Sequence, residues 1–180
     1  MTIGGRAAKL LCMTNETRTR TFTWQDPLEN LEQLAQMSGM QFLQATIAGE
    51  IPPAPICQML NFYLTAVSDG QAIFTGEPAE YHYNPIGSVH GGLAATLLDS
   101  AMSCAVQTKI PQGVAYTTLE IKVNFVRPIT AVTGKITCIG TIIHYGRRTA
   151  TAEGKLLDAN GKLLAHGTTS CLIFPTGKNG

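Results

Sequence analysis

The chain has 180 residues, of which 44% are hydrophobic and 14% are charged, and its formal net charge is +1. This length fits one domain with an ample core, and the low charge argues against a nucleic-acid-binding surface and against a polybasic membrane anchor. The five cysteines are scattered without a Cys-x-x-Cys spacing, so neither a disulfide framework nor a metal site is predicted. We therefore expect a cytoplasmic protein without nucleic-acid or membrane partners.

The N-terminal part of the chain is predicted to be an extension followed by a helical segment. Residues 1–25 show no sustained periodicity, and we expect them to be poorly ordered. The sequence Asp26-Pro27-Leu28-Glu29 has the form of a helix start, with Asp as the N-cap and Pro at the first helical position. The helical segment 26–50 is predicted to be interrupted at Gly39 and to end before the prolines at positions 52–55.

Six strands are predicted from residues that alternate between apolar and polar side chains. A hairpin begins at Cys57, has Ala66 on its inner face and turns at Asp69-Gly70. The four later strands are predicted at residues 118–125, 136–143, 149–156 and 163–173. On the first of these, the alternation places Leu119 and Phe125 on the buried face.

One long helix is predicted between the hairpin and the later strands. Apolar residues recur there at helical spacing, namely Leu93, Ala94, Leu97, Leu98, Ala101, Met102 and Ala105. An apolar stripe of this width belongs to a core helix. Small inward residues on strand 149–156 leave room for it. The predicted fold class is therefore α+β, an antiparallel sheet of about six strands wrapped around one central hydrophobic helix, with an N-terminal helical extension.

The start of this helix carries the polar groups that a site for acyl transfer requires. Asn84 and His90 precede the pair Gly91-Gly92, where unpaired backbone N–H groups at the positive end of the helix dipole can receive a carbonyl oxygen. Asp99 interrupts the apolar stripe, and a buried carboxylate is costly unless it is paired or takes part in chemistry. Solvent exposure of Asp99, or a hydrogen bond from Ser103, is the alternative explanation.

The run from Asn84 to Asp99 resembles the signature of hotdog-fold acyl-CoA thioesterases of the phenylacetate-degradation, or PaaI-like, type. It has an Asn six residues before His-Gly-Gly and an Asp nine residues after the His. The similarity continues through three further stretches, which are Tyr116–Pro128, Gly146-Arg147-Arg148 and Asp158–Gly167. It thus covers residues 55–174 and implies the hotdog version of the α+β fold. We expect one such domain over residues 26–176, followed by a tail at 177–180.

The resemblance implies a role for each polar group near the helix start. The backbone amide of Gly91, with Gly92 beside it, is expected to bind the thioester carbonyl, and Asn84 is expected to position the carbonyl or the attacking water. Asp99 is then the general base or the nucleophile. His90 acts either as an acid or as the residue that holds the Asn84 loop, and we favour the second role.

The substrate-binding residues implied by the resemblance lie on two later segments. Thr118 matches a hydroxyl position that lines related sites, although Thr117 beside it leaves the choice open. Arg147 and Arg148 suit the phosphates of coenzyme A, and a solvated turn is the alternative. Coenzyme A is part of the substrate, so no separate cofactor is expected. We expect a small to medium or aryl acyl group, with Phe42 among the residues that line either its pocket or the core.

The spacing on the helix also predicts an assembly. Asp99 lies eight residues after Gly91, which is about 12 Å along the axis and too far for one carbonyl and its water to contact both. We therefore expect a homodimer whose sites combine Gly91 and Asn84 of one chain with Asp99 of the other, as the resemblance also implies, and a dimer of such dimers. Two other functions stay open, a non-catalytic acyl-CoA-binding or regulatory module and, third, an acyl-CoA hydratase or dehydratase.

Overall fold

One antiparallel sheet of six strands organises the structure. A computed structural model describes residues 16–176, so residues 1–15 of the predicted extension and the predicted tail at 177–180 lie outside the described part. The strands are β1 (Phe62–Ser68), β2 (Gln71–Gly76), β3 (Val114–Phe125), β4 (Ile136–Tyr145), β5 (Thr149–Asp158) and β6 (Leu163–Pro175). Their order across the sheet is β1-β2-β4-β5-β6-β3. The predicted number of strands is confirmed, and β1 and β3 form the two edges.

The predicted central helix is present and packs on one face of this sheet. It is numbered α4, spans Gly91–Gln107, and buries Leu97, Leu98, Ala101 and Met102 completely. The sheet approaches it closely, because a Cβ placed on Gly140 of β4 would lie only 2.1 Å from the Ala101 carbonyl oxygen. The α+β fold class is therefore confirmed. Among the helices of residues 16–176, none has both the length and the apolar content needed to cross a membrane.

Three shorter helices precede the sheet, α1 (Glu29–Gln36), α2 (Gly39–Ala48) and α3 (Pro55–Leu60). Asp26 accepts a hydrogen bond from the Leu28 N–H at 2.9 Å and so shapes the turn before α1. The N-cap of α1 is Leu28, so the predicted N-cap at Asp26 is wrong. The predicted interruption is present at Met37 and Ser38, and Gly39 is the first residue of α2. A Cβ on that residue would lie 1.9 Å from the Gln107 carbonyl oxygen, so only glycine allows α2 to approach the end of α4.

The region around Pro55 differs from the prediction. Pro55 does not end a helix but occupies the first turn of α3, where its missing N–H has no cost. Cys57 therefore lies on a helix, and the predicted strand start at that residue is wrong. The chain leaves α3 through Asn61, which has a φ of 55°, and β1 starts at Phe62. A short apolar stretch does not distinguish a helical turn from a strand.

Two β-bulges change which side chains face α4. The pairing register shifts between Leu64 and Ala66 on β1 and between Thr118 and Glu120 on β3. An extra residue reverses the faces of a strand beyond it. Ala66 is therefore exposed, and Leu119 on β3 is 61% exposed. The predicted inward positions of these two residues are wrong. Thr118 is half-buried instead.

The described part of the extension follows the surface without helix or strand structure. The Arg20 guanidinium donates hydrogen bonds to the carbonyl oxygens of Gln58 and Met59 on α3. It also stands over the Tyr81 ring, 4.1 Å from the centroid. Arg18 forms an exposed ion pair with Glu80 at 2.8 Å. Side chains of the extension therefore attach it to α3 and to the turn that precedes the Asn84 loop.

Candidate active site

The start of α4 offers one backbone donor. His90 is the N-cap, and its Nδ1 accepts a hydrogen bond from the Gly92 N–H at 2.9 Å. The Gly91 N–H donates no hydrogen bond within residues 16–176. Of the two predicted glycine donors, Gly92 is thus used inside the helix start, while Gly91 presents its N–H at the positive end of the helix. His90 fixes the geometry of this end.

Asn84 shapes the loop that leads into the helix. Its Oδ1 accepts hydrogen bonds from the N–H groups of Ile86 at 3.0 Å and Ser88 at 3.4 Å, and its Nδ2 donates to Ser88 Oγ at 3.1 Å. The His90 N–H donates to the His82 carbonyl oxygen at 2.8 Å, which fixes the far end of the loop. The Asn84 amide is therefore used within the loop itself, which it holds in shape before the helix start.

Asp99 lies on α4 next to β3, where it is half-buried. Its Oδ1 accepts a hydrogen bond from the Thr118 hydroxyl at 3.0 Å. The bulge in β3 turns Thr118 toward the helix, whereas Thr117 is exposed. Ser103 donates to the Ser100 carbonyl oxygen at 3.4 Å and not to Asp99. The structure thus brings Thr118 and Asp99 together, and it leaves one carboxylate oxygen without a partner from these hydroxyls.

The groups around Asp99 stay protonated at neutral pH. Burial raises the pKa of the Tyr116 phenol well above its usual range, and Tyr116 donates to Gln107 Oε1 at 3.2 Å. Burial raises the pKa of the Cys104 thiol to about 12, with smaller contributions from Cys57 and from the charge of Asp99. Neither Tyr116 nor Cys104 therefore carries a charge near the Asp99 carboxylate at neutral pH.

The Gly91 N–H and the Asp99 carboxylate lie beside different parts of β3 within one chain. Gly91 packs against Phe125 at the end of β3, where a Cβ on the glycine would lie 3.0 Å from Phe125 Cζ. Asp99 instead contacts Thr118, seven residues earlier on the same strand. Beside Gly91 lies an open cleft of about 500 Å³ that Phe125 and Arg127 line. Phe125, predicted to be buried, is thus exposed at this cleft.

Arg127 lines the cleft although the sequence analysis assigned it no role. Its guanidinium donates to the Leu163 carbonyl oxygen. The residue stands in the stretch Tyr116–Pro128 that carries the family resemblance, so its position in the motif was the only signal in the sequence.

Arg147 and Arg148 lie in the bend between β4 and β5, and both are exposed. Within residues 16–176, no carboxylate lies within 4.0 Å of either guanidinium. The Arg148 carbonyl oxygen accepts a hydrogen bond from the Ile173 N–H at 2.8 Å, and Ile173 is paired with Tyr116 of β3. The backbone at Arg148 is therefore about two strand spacings, roughly 10 Å, from β3 at its Asp99 end.

Comparison with known proteins gives consistent results. Residues 86–165 match the model of the Thioesterase superfamily. The 1,4-dihydroxy-2-naphthoyl-CoA hydrolase of Listeria monocytogenes is 29% identical over 107 residues, which are 59% of this chain and 85% of that protein. Among solved structures, the phenylacetic acid degradation-related protein of Ralstonia eutropha JMP134 is 26% identical with a TM-score of 0.66, covering 72% of this chain and 98% of that one.

A variant of the phenylacetic acid degradation protein PaaI from Thermus thermophilus is similar as well. It is 28% identical with a TM-score of 0.60, and the match covers 66% of this chain and 98% of that chain. The resemblance found in the sequence motifs is confirmed: the chain has the hotdog-type fold of its structural neighbours, its residues 86–165 match the thioesterase superfamily, and the named relatives indicate a thioester hydrolase.

Proposed function

We propose that the protein hydrolyses acyl-CoA thioesters, with Asp99 as the general base and the Gly91 N–H as the donor to the carbonyl oxygen. The hydrogen bond from Thr118 to Asp99 carries this assignment. It holds a half-buried carboxylate on an apolar helix in one orientation and leaves its second oxygen for a water molecule. The CoA hydrolase among the relatives supports coenzyme A as the thiol part of the substrate.

The chemistry proceeds in two steps. The Asp99 carboxylate accepts a proton from water while the water oxygen attacks the thioester carbon, and the carbonyl electron pair moves onto the oxygen. The Gly91 N–H donates to this oxyanion, whose charge is greatest in the transition state. Collapse of the intermediate breaks the C–S bond, and the departing thiolate takes the proton from Asp99. Direct attack by Asp99 is the alternative, and heavy-oxygen label from water would then enter the carboxylate as well as the product.

Each site is proposed to use two chains. Gly91 and Asp99 are about 12 Å apart along the helix axis, and they adjoin opposite ends of β3. The outer edge of β3 has no neighbouring strand within residues 16–176, so it can pair with a second copy. Antiparallel pairing about a two-fold axis between Ile121 and Lys122 would set Thr118 of one chain opposite Phe125 of the other. Asp99 would then face Gly91 of the second copy, and the dimer would contain two equivalent sites.

The two arginines beyond β4 are proposed to bind the phosphates of coenzyme A. Arg147 and Arg148 are exposed and lie at the Asp99 end of β3. Paired guanidiniums are well suited to phosphate because they form charge-assisted, bidentate hydrogen bonds. Coenzyme A would enter as part of the substrate, so the reaction as proposed needs no separate cofactor.

A panel of CoA esters with short, medium and aryl acyl groups, assayed for released thiol, tests this function. Wild-type protein should release thiol, and Asp99→Asn should lose at least about 10²-fold in kcat because a general base contributes 10²–10⁴-fold. Asp69→Asn, which changes an exposed carboxylate that contacts Lys109 alone among the side chains of residues 16–176, is the matched control. Tight binding of CoA esters without thiol release would point to a binding module instead.

A further inference from the structure

An apolar cavity of about 260 Å³ lies between the N-terminal helices and α4. Helix α1 forms its roof, α2 and the proline segment after it form a side, and α4 forms its inner wall. The lining residues that matter below are Leu31, Leu34, Phe42, Thr46, Cys104 and Gln107. Most of this lining comes from residues before position 86, where the match to the superfamily model begins. The cavity is therefore a feature that the family match does not explain.

We propose that this cavity binds the acyl group of the substrate and selects an apolar group the size of a medium-length alkyl chain or one aromatic ring. This inference rests on the proposed hydrolysis of thioesters at Asp99. It adds a specificity site that the N-terminal helices build. Three observations support it, namely the position of the cavity along α4, its chemistry and its volume.

The cavity begins close to the proposed reaction centre. Cys104 follows Asp99 by five residues, which is about 7.5 Å along the helix. Two neighbouring hydrogen bonds connect β3 to this part of α4, from Thr118 to Asp99 at 3.0 Å and from Tyr116 to Gln107 at 3.2 Å. Gln107 lines the cavity. Five residues also turn the helix by about 140°, so an acyl chain with its carbonyl carbon at Asp99 would extend along the C-terminal half of α4 and pass around it to enter the cavity at Cys104.

The chemistry of the lining suits an uncharged apolar group. Among the described residues, no Asp, Glu, Lys or Arg contributes to the wall. Burial raises the pKa of Cys57 to about 11 and that of Cys104 to about 12, so both thiols are neutral. The Gln107 side-chain oxygen already accepts the Tyr116 hydroxyl. A charged acyl group would find no partner in this cavity and would lose its hydration, which is costly.

The volume of the cavity limits the acyl group. An apolar protein cavity of about 150 Å³ takes up benzene, so about 260 Å³ accommodates one aromatic ring or an alkyl chain of several carbons. The roof also has apolar surface to contribute, because Leu31 is 55% and Leu34 is 36% exposed. An acyl group beneath these leucines would cover part of that surface, and each methylene that enters should lower KM about fourfold.

A filled-pocket variant tests the assignment. Thr46 lines the cavity from α2, and its hydroxyl bonds only the Phe42 carbonyl oxygen one turn earlier, so Thr46→Phe fills space without leaving a polar group unpaired. Gln44→Phe adds the same ring on the exposed side of the same helix and is the matched control. We expect Thr46→Phe to lower kcat/KM for octanoyl-CoA roughly fiftyfold, which corresponds to the lost burial of about three methylene groups. The value of kcat/KM for acetyl-CoA should stay unchanged. Gln44→Phe should leave both values unchanged.

An enlarged-pocket variant provides the second test. Phe42→Ala should move the preferred chain from octanoyl toward dodecanoyl, and it keeps the proposal testable if Thr46→Phe does not fold. The acyl-site assignment would be overturned if Thr46→Phe lowered kcat/KM equally for acetyl-CoA and octanoyl-CoA. It would also be overturned if the preference among chain lengths were unchanged in both Thr46→Phe and Phe42→Ala. Hydrolysis of acetyl-CoA would in either case still support the proposed function.

Binding of a non-hydrolysable thioether, S-octyl-CoA, separates this inference from catalysis. If wild-type protein hydrolyses none of the CoA esters, calorimetry still measures whether S-octyl-CoA binds and how strongly the variants bind it. Weaker binding to Thr46→Phe than to Gln44→Phe would uphold the acyl site without the proposed hydrolysis. Equal binding to both variants, or no binding to wild type, would refute it.

Discussion

Proline in place of Gly91 removes the backbone donor that the proposed mechanism requires and disturbs little else. Gly91 is the first residue of α4, a position that favours proline because its N–H has no partner within the helix. The preceding residue, His90, has φ −60° and ψ 133°, which lie in the extended region that proline demands of its neighbour. The tip of Phe125, an exposed side chain, is the nearest group to a Cβ at this position, at 3.0 Å.

We expect Gly91→Pro to lower kcat by about 10²–10³-fold, the usual loss when one oxyanion donor is removed. Thiol release from acetyl-CoA measures kcat, and a melting curve checks that the fold is intact. Gly91→Ala is the control, because it meets Phe125 with the same Cβ but keeps the N–H, and it should retain most of the activity. A proline variant that folds and keeps more than about a tenth of wild-type kcat would refute the role of this N–H, as would equal losses in the two variants.

Three further predictions concern the other groups of the site. Thr118→Val should lower kcat about tenfold because it removes the hydroxyl that orients Asp99, and Thr118→Ser should restore the rate; a full rate in the valine variant would contradict the orienting role. The double change of Arg147 and Arg148 to Ala should raise KM for CoA esters but not for the N-acetylcysteamine thioester, which has no phosphates; equal effects on both substrates would indicate a structural role. Mixed Gly91→Pro and Asp99→Asn proteins should regain about a quarter of wild-type activity after subunit exchange, since one site of each mixed dimer is intact; verified exchange without recovery would mean that each chain holds a complete site.

The sequence predicted the parts of the fold that extend over many residues. The apolar stripe of α4 and the alternation in the later strands repeat often enough to identify an element and its buried face. The same alternation gave the wrong face for Leu119, because a bulge leaves no mark in the pattern of apolar residues. That bulge also decides between Thr117 and Thr118. The sequence does not show which of the two faces the helix, and in the structure it is Thr118 that contacts Asp99.

The candidate site was predicted as a set of residues but not as a geometry. Nothing in the spacing of His90, Gly91 and Gly92 shows that the imidazole takes the Gly92 N–H and leaves that of Gly91 unpaired. Nor does the spacing show that the Asn84 amide bonds within its own loop. Such details depend on the rotamers of a few side chains, which no periodicity encodes. The cavity beneath α1 is likewise produced by segments that are distant in sequence.

The way the N-terminal helices are attached has a consequence for the range of substrates. Helix α2, which forms a side of the cavity, is anchored by a backbone hydrogen bond from the Gly39 N–H to the Ile110 carbonyl oxygen at 2.8 Å. Helix α1 makes no backbone hydrogen bond to another element within the described residues. It covers the opening of the cavity with leucine side chains. Bulkier acyl groups would therefore be accommodated by outward displacement of α1, while α2 keeps its place. Tolerance for acyl size should then be gradual, and amide hydrogen exchange should slow in α1 when S-octyl-CoA binds.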